Sequence, residues 1–249
     1  MINLAFFSSS TSICIVDGHQ YDSQLEIMKK PSGRMYVNVD MSTEQGVQRA
    51  IDLNFVQSGL ADLVISARIN IASRVFDPPN HRGICFTMMR HPVERAISLF
   101  YHLKEASWED TFHKEWQNMT LDEYARGEKM ETNWMTRALN QKLYGGTLGY
   151  DDFQRAKEFL RRKCVIGLTE DFANSLKRFK HVFHWDEASY GEDKCADEMI
   201  QENESTPSKS ITYDEKSETW HLLAQHNEFD IELYNYAVEL YKQQSYLLK

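Results

Sequence analysis

The first half of the chain alternates short apolar runs with longer amphipathic stretches. The runs YVNVD (36–40) and ADLVIS (61–66) have the composition of short strands, and GICFTMM (83–89) is apolar enough for a buried one. Amphipathic stretches with apolar residues at helical spacing separate these runs. Strands that alternate with helices indicate an α/β protein with a parallel sheet, whose ligands bind beyond the carboxyl ends of the strands.

The stretch STEQGVQRAIDLNFVQS, which follows the first of these runs, predicts one helix. Ser42 or Thr43 is its expected N-cap, with Gln45 near the capping-box position. Apolar residues then recur at helical spacing, and the helix is expected to end near Gly59. INIASRVF predicts a further short helix, which DPPN closes.

The second half of the chain is predicted to be mostly helical. Helices are expected at 121–125, 131–143, 151–163, 171–183 and along the C-terminal NEFDIELYNYAVELYKQQ. CVIGL (164–168) predicts one more buried strand. Residues 186–218 are polar, acidic and poor in apolar side chains, which is typical of a surface loop. No internal repeat interrupts this pattern, so residues 1–249 are predicted to form a single domain.

Composition and charge narrow the classes of function. Hydrophobic residues are 42% of the 249 positions, so the chain can bury a core. The formal net charge of −9 argues against a protein whose main task is to neutralise a nucleic-acid backbone. An anionic ligand must therefore be held by a local cluster of Lys and Arg. No apolar run is long enough to span a membrane, and the start MINLAFFSSSTSICIV is a poor signal peptide.

The cysteines give no metal-binding pattern. Cys14, Cys85, Cys164 and Cys195 are far apart and form no CxxC pair, so zinc is not expected. Cys85 and Cys164 sit in apolar strand-like runs, where a buried free thiol is the default expectation. Pairing of the four residues into two disulfides stays open, and so does the redox compartment.

The segment TMMRHPVERAISLFYHL (87–103) carries the most specific chemistry in the chain. Pro92 suits the first turn of a helix, so Arg90 is expected at the end of the preceding strand and Ser98 two turns into the helix. Helix amino termini present unpaired N–H groups to anions, and a guanidinium and a hydroxyl add further donors. The residues therefore predict an anion site. The alternative is a surface ion pair between Arg90 and Glu94, with Ser98 facing solvent.

RHPVERAISLFY resembles the 3′-phosphate-binding motif of the sulfotransferases that use PAPS (3′-phosphoadenosine 5′-phosphosulfate). In that motif an Arg at a strand end and a Ser eight residues later hold the 3′-phosphate, and Arg90 and Ser98 match it in identity and spacing. NWMTRAL, KCVIGLTEDFANSLKRF and NEFDIELYNYAVELY resemble stretches of the membrane-associated carbohydrate sulfotransferases, especially algal-type relatives. The similarity extends from Tyr36 to the C-terminus.

This resemblance implies a P-loop-like sulfotransferase fold, in which helices flank a central parallel sheet and the C-terminal half is helical. It implies transfer of a sulfuryl group from PAPS to a hydroxyl of a carbohydrate acceptor, with PAP (3′,5′-adenosine diphosphate) as the product. PAPS is then a co-substrate, and no metal is expected. The compartment implied by the family is the Golgi lumen.

The N-terminal part, residues 1–35, departs from the family. The family opens with a strand, a loop like PKTGTT that cradles the 5′-phosphosulfate, and a helix. FFSSSTSI offers Ser10, Thr11 and Ser12 after an apolar run, but no lysine. ICIVDGHQYDSQLEI has Asp17 where a cation is expected, and KKPSGR precedes a strand instead of following one. We favour truncation of the chain before this loop over degeneration or loss of the loop.

The acceptor side has no matching motif. In the family the base is usually a His or Glu near the end of the strand predicted at 61–66, where this chain reads SARIN. His81 and Asp40 are the candidate bases, and a structural or solvent-facing role is the alternative for each. Arg137 is expected near the nucleotide by resemblance, and an ion pair with Glu131 is the alternative.

Other histidines and a basic run have simpler interpretations. His91, beside the anion motif, is expected to orient the turn. His181 and His184 are three apart on a predicted helix but lack a third ligand, so no metal site is predicted. The run RRK (161–163) lies at a predicted helix end, where the helix dipole favours cations.

Two functions are therefore open. The anion motif favours a sulfotransferase, whereas the absent 5′ loop and base favour a catalytically degenerate relative that binds nucleotide, glycan or a protein partner. A P-loop kinase is disfavoured because GxxxxGK followed by Ser or Thr occurs nowhere in the chain.

Overall fold

The chain divides into two compact units that interleave along the sequence. The computed structural model describes residues 3–7, 22–29, 35–66, 68–77, 80–107, 112–128, 130–143, 145–184 and 214–248. The first unit comprises residues 1–88 with 137–167, and the second comprises residues 89–136 with 168–249. The single domain expected over residues 1–249 stays a prediction.

The strands form two separate sheets. They are β1 (Asn3–Phe7), β2 (Ile27–Lys29), β3 (Met35–Val37), β4 (Leu63–Ile65), β5 (Ile84–Met89) and β6 (Cys164–Leu168). Four of them form one sheet in the order β4-β1-β5-β6, and β1 runs parallel to both β4 and β5. The α/β class with parallel strand pairing is therefore confirmed.

β1 is an inner strand of the larger sheet, although its sequence, NLAFF, was not predicted as one. Phe7 lies opposite Met88, so the carboxyl ends of β1 and β5 are adjacent. After β1, the chain next returns to this sheet as β4, which lies on one side of β1. β5 lies on the other side of β1, and β6 lies beyond β5. Such a reversal is the place where open α/β sheets bind ligands.

The run YVNVD belongs to the smaller sheet. β3 pairs with β2 in an antiparallel manner, with Tyr36 opposite Met28. The prediction that this run is a strand is confirmed in part, but it does not contribute to the parallel sheet. The physical reason is the short connection, since neighbouring strands joined by a few residues pair antiparallel, whereas parallel pairing needs a longer crossover.

The helices follow most of the predicted positions. In chain order they are α1 (Glu44–Asp52), α2 (Phe55–Ser58), α3 (Ile69–Ala72), α4 (Pro92–Glu105), α5 (Leu121–Arg126), α6 (Trp134–Leu139), α7 (Tyr150–Lys163), α8 (Phe172–Phe183), α9 (Glu218–His226) and α10 (Glu228–Gln243). The mostly helical second half is thus confirmed for the described ranges. None of the described helices is long and apolar enough to cross a bilayer.

The first predicted helix is broken into two. Thr43 is the N-cap of α1, and its side chain accepts a hydrogen bond from the Gly46 N–H. Asn54 has a φ of 53°, a left-handed conformation that separates α1 from α2, and Gly59 ends α2 with a φ of 65°. Asn tolerates this conformation better than most residues, which explains the break at this position.

The helix expected at 131–143 is shorter than predicted. Asn133 has a φ of 51° and Gln141 has a φ of 59°, so neither residue continues a right-handed helix. α6 occupies the interval between them. Within the loop expected at 186–218, residues up to 213 lie outside the described part of the chain, and α9 begins at its last position, Glu218.

Cys85 and Cys164 form a disulfide, with their Cα atoms 4.3 Å apart. The prediction of buried free thiols at these two positions is therefore wrong. The two residues lie on β5 and β6, which are neighbours in the sheet. Adjacent strands are about 5 Å apart, which brings facing side chains within bonding distance.

The second unit packs around one face of α4. The buried residues of this core come from α4, α5, α9 and the connecting segments, namely Val93, Ala96, Ile97, Phe100, Leu103, Trp116, Tyr124, Ala125, Met130 and Leu223. Because these residues are buried, the opposite face of α4, which carries Glu94, is exposed to solvent.

Candidate anion-binding site

Arg90 and Ser98 lie at the start of α4, in the second unit. β5 ends at Met89, Arg90 and His91 form the turn, and Pro92 is the first helical residue. The predicted order of strand, turn and helix is confirmed. Proline is favourable here because a backbone N–H in the first turn of a helix has no partner within the helix, so its absence costs nothing. His91, the N-cap residue of this 14-residue helix, makes no capping hydrogen bond with its side chain, so the amino terminus suits an anion.

The Arg90 guanidinium is paired with Glu94. The distance between Nε of Arg90 and Oε2 of Glu94 is 3.4 Å, and the two side chains are 21% and 48% exposed. Ser98 is half-buried. Glu94 and Ser98 are four residues apart within α4, so they lie on the same side of the helix. The ion pair anticipated as the alternative is thus present, and an anion that bridged Arg90 and Ser98 would lie against Glu94.

His91 is fixed by aromatic packing. Its ring stacks on Trp220 at a centroid distance of 5.3 Å and meets Tyr234 edge-on at 5.4 Å. Burial lowers the pKa of His91, and the charges of Glu94 and Glu215 oppose that effect. The imidazole is therefore neutral near pH 7. Its Nδ1 is buried and has no hydrogen-bond partner in the described part of the chain. This packing holds the turn, as expected for His91.

Glu170 is a neighbour of the site that the sequence analysis did not single out. It follows β6, in the single 3₁₀ turn Thr169–Asp171. Burial raises the pKa of its carboxyl group, and the negative charge of Glu94 contributes to that rise. The carboxyl groups of Glu94 and Glu170 therefore lie close enough to interact, and Glu94 is the one paired with Arg90. The available signal was its position, since Glu170 comes directly after a buried strand of the same sheet as β5.

Arg95 is a second arginine of α4, but it is used internally. Its Nη2 is 2.8 Å from Oε2 of Glu131, and the Arg95 side chain is only 10% exposed. The guanidinium carbon lies 4.5 Å from the centre of the Trp134 ring. Arg95 therefore links α4 to the segment that leads into α6, and its contacts are structural.

Arg137, in the first unit, is hydrogen-bonded to the backbone of the loop that follows α6. Its Nη1 donates hydrogen bonds to the carbonyl oxygens of Lys142 and Gly146, at 3.3 and 2.9 Å. Glu131, the ion-pair partner anticipated for it, is paired with Arg95 instead. The contribution of Arg137 to nucleotide binding stays a prediction.

The two candidate bases both lie in the first unit. Asp40 accepts hydrogen bonds from the N–H and the hydroxyl of Ser42, at 2.8 and 2.5 Å, so its carboxylate organises the turn before α1. Asp40 does not end a strand of the parallel sheet, because the strand that precedes it, β3, belongs to the smaller antiparallel sheet. The backbone N–H of His81 donates a hydrogen bond to the carbonyl oxygen of Asp77 at 2.7 Å. The Nδ1 atom of the His81 ring is buried without a hydrogen-bond partner among the described residues.

Ser10, Thr11 and Ser12, the candidates for the 5′-phosphosulfate loop, lie outside the described residues, as does Asp17. His184, at the end of α8, has a left-handed backbone with a φ of 57°. In the described ranges, no group of three His, Cys, Asp or Glu side chains is arranged to hold a metal ion.

No protein-family model matches this chain, and a search of the curated proteins finds no significant match. The resemblance to the sulfotransferases therefore stays a prediction from the motifs of the sequence.

Proposed function

We propose that this protein is a PAPS-dependent sulfotransferase, which transfers a sulfuryl group from PAPS to a hydroxyl of a carbohydrate and releases PAP. One observation carries the proposal. Arg90 directly follows a strand with parallel pairing and leads into the amino terminus of α4, whose N-cap residue His91 makes no side-chain capping hydrogen bond, and Ser98 comes eight residues later. We assign the P-loop-like sulfotransferase fold on the same ground.

Three kinds of donor would hold the 3′-phosphate. Arg90 supplies a permanently charged fork, Ser98 supplies a hydroxyl, and the first turn of α4 supplies backbone N–H groups and the positive end of the helix dipole. A phosphate monoester carries a charge between about −1.5 and −2 near pH 7, so it exploits all three. The net charge of −9 makes this local arrangement necessary, because the protein as a whole repels anions.

The larger sheet has the kind of strand arrangement at which open α/β sheets bind ligands. The ends of β1 and β5 are adjacent, at Phe7 and Met88, and they flank a reversal of strand order. The chain continues from β1 directly into the segment with Ser10, Thr11 and Ser12. Within this chain, Ser10, Thr11 and Ser12 remain the candidates for the 5′-phosphosulfate loop, beside truncation of that loop.

The reaction is an in-line displacement at sulfur. The oxygen of the acceptor hydroxyl forms a bond to sulfur, and the bond from sulfur to the bridging oxygen of the 5′-phosphate breaks. The electron pair of that bond leaves with the phosphate oxygen, so PAP departs as an anion that cations stabilise. The proton of the hydroxyl goes to a base, for which His81 and Asp40 are the candidates.

The disulfide agrees with a luminal protein. Disulfides persist in oxidising compartments and are rare in the cytosol. Cys85 and Cys164 are paired inside the first unit. Maturation in the Golgi lumen or a similar compartment is therefore part of the proposal.

A non-catalytic relative of the sulfotransferases is the second candidate. It is favoured by the Arg90–Glu94 ion pair and by the hydrogen bonds that engage the Asp40 carboxylate. Such a protein would bind nucleotide, glycan or a protein partner without turnover.

Calorimetric titration with PAP tests the proposal. We expect PAP to bind, and Arg90→Ala to weaken binding by at least ~1.5 kcal/mol, or about tenfold in Kd, because it removes a charged hydrogen bond. Arg161→Ala is the matched control, since Arg161 is also an arginine in a helical ion pair, with Glu158. Binding that Arg90→Ala leaves unchanged would remove Arg90 from the site.

Turnover separates the two candidates. Incubation of the protein with labelled PAPS and a panel of glycans should transfer label to at least one glycan. Binding of PAP without transfer to any of them would favour the non-catalytic relative.

A further inference from the structure

We propose that Glu94 makes the Arg90–Ser98 site selective for anions that carry a proton, so that it accepts a phosphate group and rejects sulfate. This inference rests on the proposed function in taking Arg90 and Ser98 as the anion ligands. It adds a specificity-determining residue whose role neither the motif nor the resemblance assigns.

The first step is the position of Glu94 between the two proposed ligands. Its carboxylate is 3.4 Å from Nε of Arg90, and it precedes Ser98 by one helical turn. An anion that reaches both Arg90 and Ser98 must therefore displace the carboxylate or lie in contact with it. The more exposed partner of the pair is Glu94, at 48%, so it is the side chain that can adjust.

The second step is the presence of a further carboxyl group. Glu170 is exposed at the surface, and partial desolvation raises the pKa of its carboxyl group, with a contribution from the charge of Glu94. The surroundings of Glu94 are consequently richer in acceptors than a plain phosphate site. A group with negative charge on every oxygen meets repulsion there.

The third step is the chemistry of the two anions. Sulfate has no proton near neutral pH and can only accept hydrogen bonds. A phosphate monoester has its second pKa near about 6, so it can retain one proton and donate it to a carboxylate. Such a charge-assisted O–H···O⁻ bond is among the stronger hydrogen bonds in proteins. Glu94 therefore repels sulfate and can hydrogen-bond a protonated phosphate.

This selectivity would suit a sulfuryl-transfer enzyme. Its nucleotide must be recognised by the 3′-phosphate, while free sulfate is an anion of similar size and shape. A site made of Arg90 and Ser98 alone would attract a sulfate dianion more strongly than a phosphate monoanion. Glu94 reverses that order.

The test is calorimetric titration at pH 6 with inorganic phosphate and, separately, with sodium sulfate. We expect the wild-type protein to bind phosphate about tenfold more tightly than sulfate, the scale of one charge-assisted hydrogen bond. In Glu94→Gln the affinity for sulfate should rise and the preference for phosphate should disappear. Glu105→Gln, on the exposed end of the same helix, is the matched control and should keep the wild-type preference.

Two results would overturn the inference. One is a wild-type protein that binds sulfate as tightly as phosphate or binds neither anion, and the other is a Glu94→Gln variant that keeps the phosphate preference. Arg90→Ala separates this failure from failure of the site itself. If Arg90→Ala abolishes PAP binding while Glu94→Gln keeps the preference, the site stands and Glu94 has no part in selectivity. If Arg90→Ala leaves both anions and PAP unaffected, the proposed function fails as well.

Discussion

Asn133 and Asp230 cap each other's helices. The side-chain oxygen of Asn133, which precedes α6, accepts a hydrogen bond of 3.1 Å from the Asp230 N–H in the first turn of α10. The Asp230 carboxylate accepts hydrogen bonds from the N–H groups of Met135 and Thr136 in α6, at 2.9 and 2.8 Å. Asn227 adds a further bond, from the Asn133 N–H to its side-chain oxygen. The stretches NWMTRAL and NEFDIELYNYAVELY are joined in this way.

Removal of the Asp230 carboxylate should destabilise the protein strongly. Asp230 is 1% exposed, and Asp230→Ala leaves two buried N–H groups and the Thr136 hydroxyl without their acceptor. We expect the free energy of unfolding to fall by about 3 to 5 kcal/mol, since each unsatisfied buried donor costs about 1 to 3 kcal/mol. Urea denaturation measures the loss. Glu239→Ala, an exposed change in the same helix, is the control and should cost less than about 0.5 kcal/mol. Equal stability of the two variants would contradict the capping role.

A side chain at Gly46 should disturb the turn that contains Asp40. A Cβ atom added to Gly46 would lie 1.9 Å from the carbonyl oxygen of Asp40, so either the first turn of α1 or the Asp40 backbone must move. We expect Gly46→Ala to lower the free energy of unfolding by about 2 to 3 kcal/mol, as overpacking does. A Cβ at Gly149 would meet nothing within 4 Å, so Gly149→Ala is the matched control. Thermal unfolding of the two variants measures the difference. Equal losses of stability in Gly46→Ala and Gly149→Ala would refute the argument.

Reduction of the disulfide should lower thermal stability. The bond between Cys85 and Cys164 closes a loop of 79 residues, and a loop of this size corresponds to about 4 kcal/mol in the chain-entropy model. For a chain of this length that is a fall in Tm of roughly 10 °C. Calorimetric scans with and without a reductant measure it. The double variant Cys85→Ala/Cys164→Ala provides the control, because the reductant should no longer shift its Tm. An intact mass that shows both thiols protonated in the untreated protein would argue against the bond.

Asp152 should make stability depend on acid pH. Burial tends to raise the pKa of this carboxyl, but hydrogen bonds from Lys142, the Gly149 N–H and Arg155 outweigh burial and lower the pKa to about 2. A depressed folded-state pKa gives stabilisation that is present above the unfolded pKa of 3.8 and is lost as the pH falls toward 2. The loss is about 2 kcal/mol.

Denaturant titrations at pH 5, 4, 3 and 2 check this expectation. Asp152→Asn should lose less stability than the wild-type protein over that interval, by about 2 kcal/mol. Asp151→Asn, an exposed change beside it in α7, should follow the wild-type curve. A wild-type curve that runs parallel to that of Asp152→Asn would rule out the proposed hydrogen-bonded carboxylate.

Local signals in the sequence determined the parts of the fold that depend on a few neighbouring residues. The apolar run before Arg90 and Pro92 after it predict a strand, a turn and a helix, and this order is confirmed. Thr43 was one of two expected N-caps and is the observed one. Such features are predictable because caps, proline and helical spacing act within one or two turns of the chain.

Only those residues of the candidate site that are close together in the sequence were predictable. The spacing of Arg90 and Ser98 is a property of the sequence, and so is the pairing of Arg90 with Glu94 as an alternative. Glu170, which lies near Glu94, was not foreseen, because it follows a strand far along the chain. Its position depends on which strands are neighbours in the sheet, and no local pattern encodes that order.

Tertiary structure alone decided the remaining features. It placed NLAFF inside the parallel sheet, joined Cys85 to Cys164, turned Arg137 onto backbone carbonyls and brought Asn133 to Asp230. The last pair is separated by 97 residues. The sequence by itself determined most of the helices and strands, since short-range hydrogen bonding and apolar periodicity specify them. The partners of their polar groups were decided only by packing, because buried donors and acceptors must be satisfied by whatever residues the folded chain brings near.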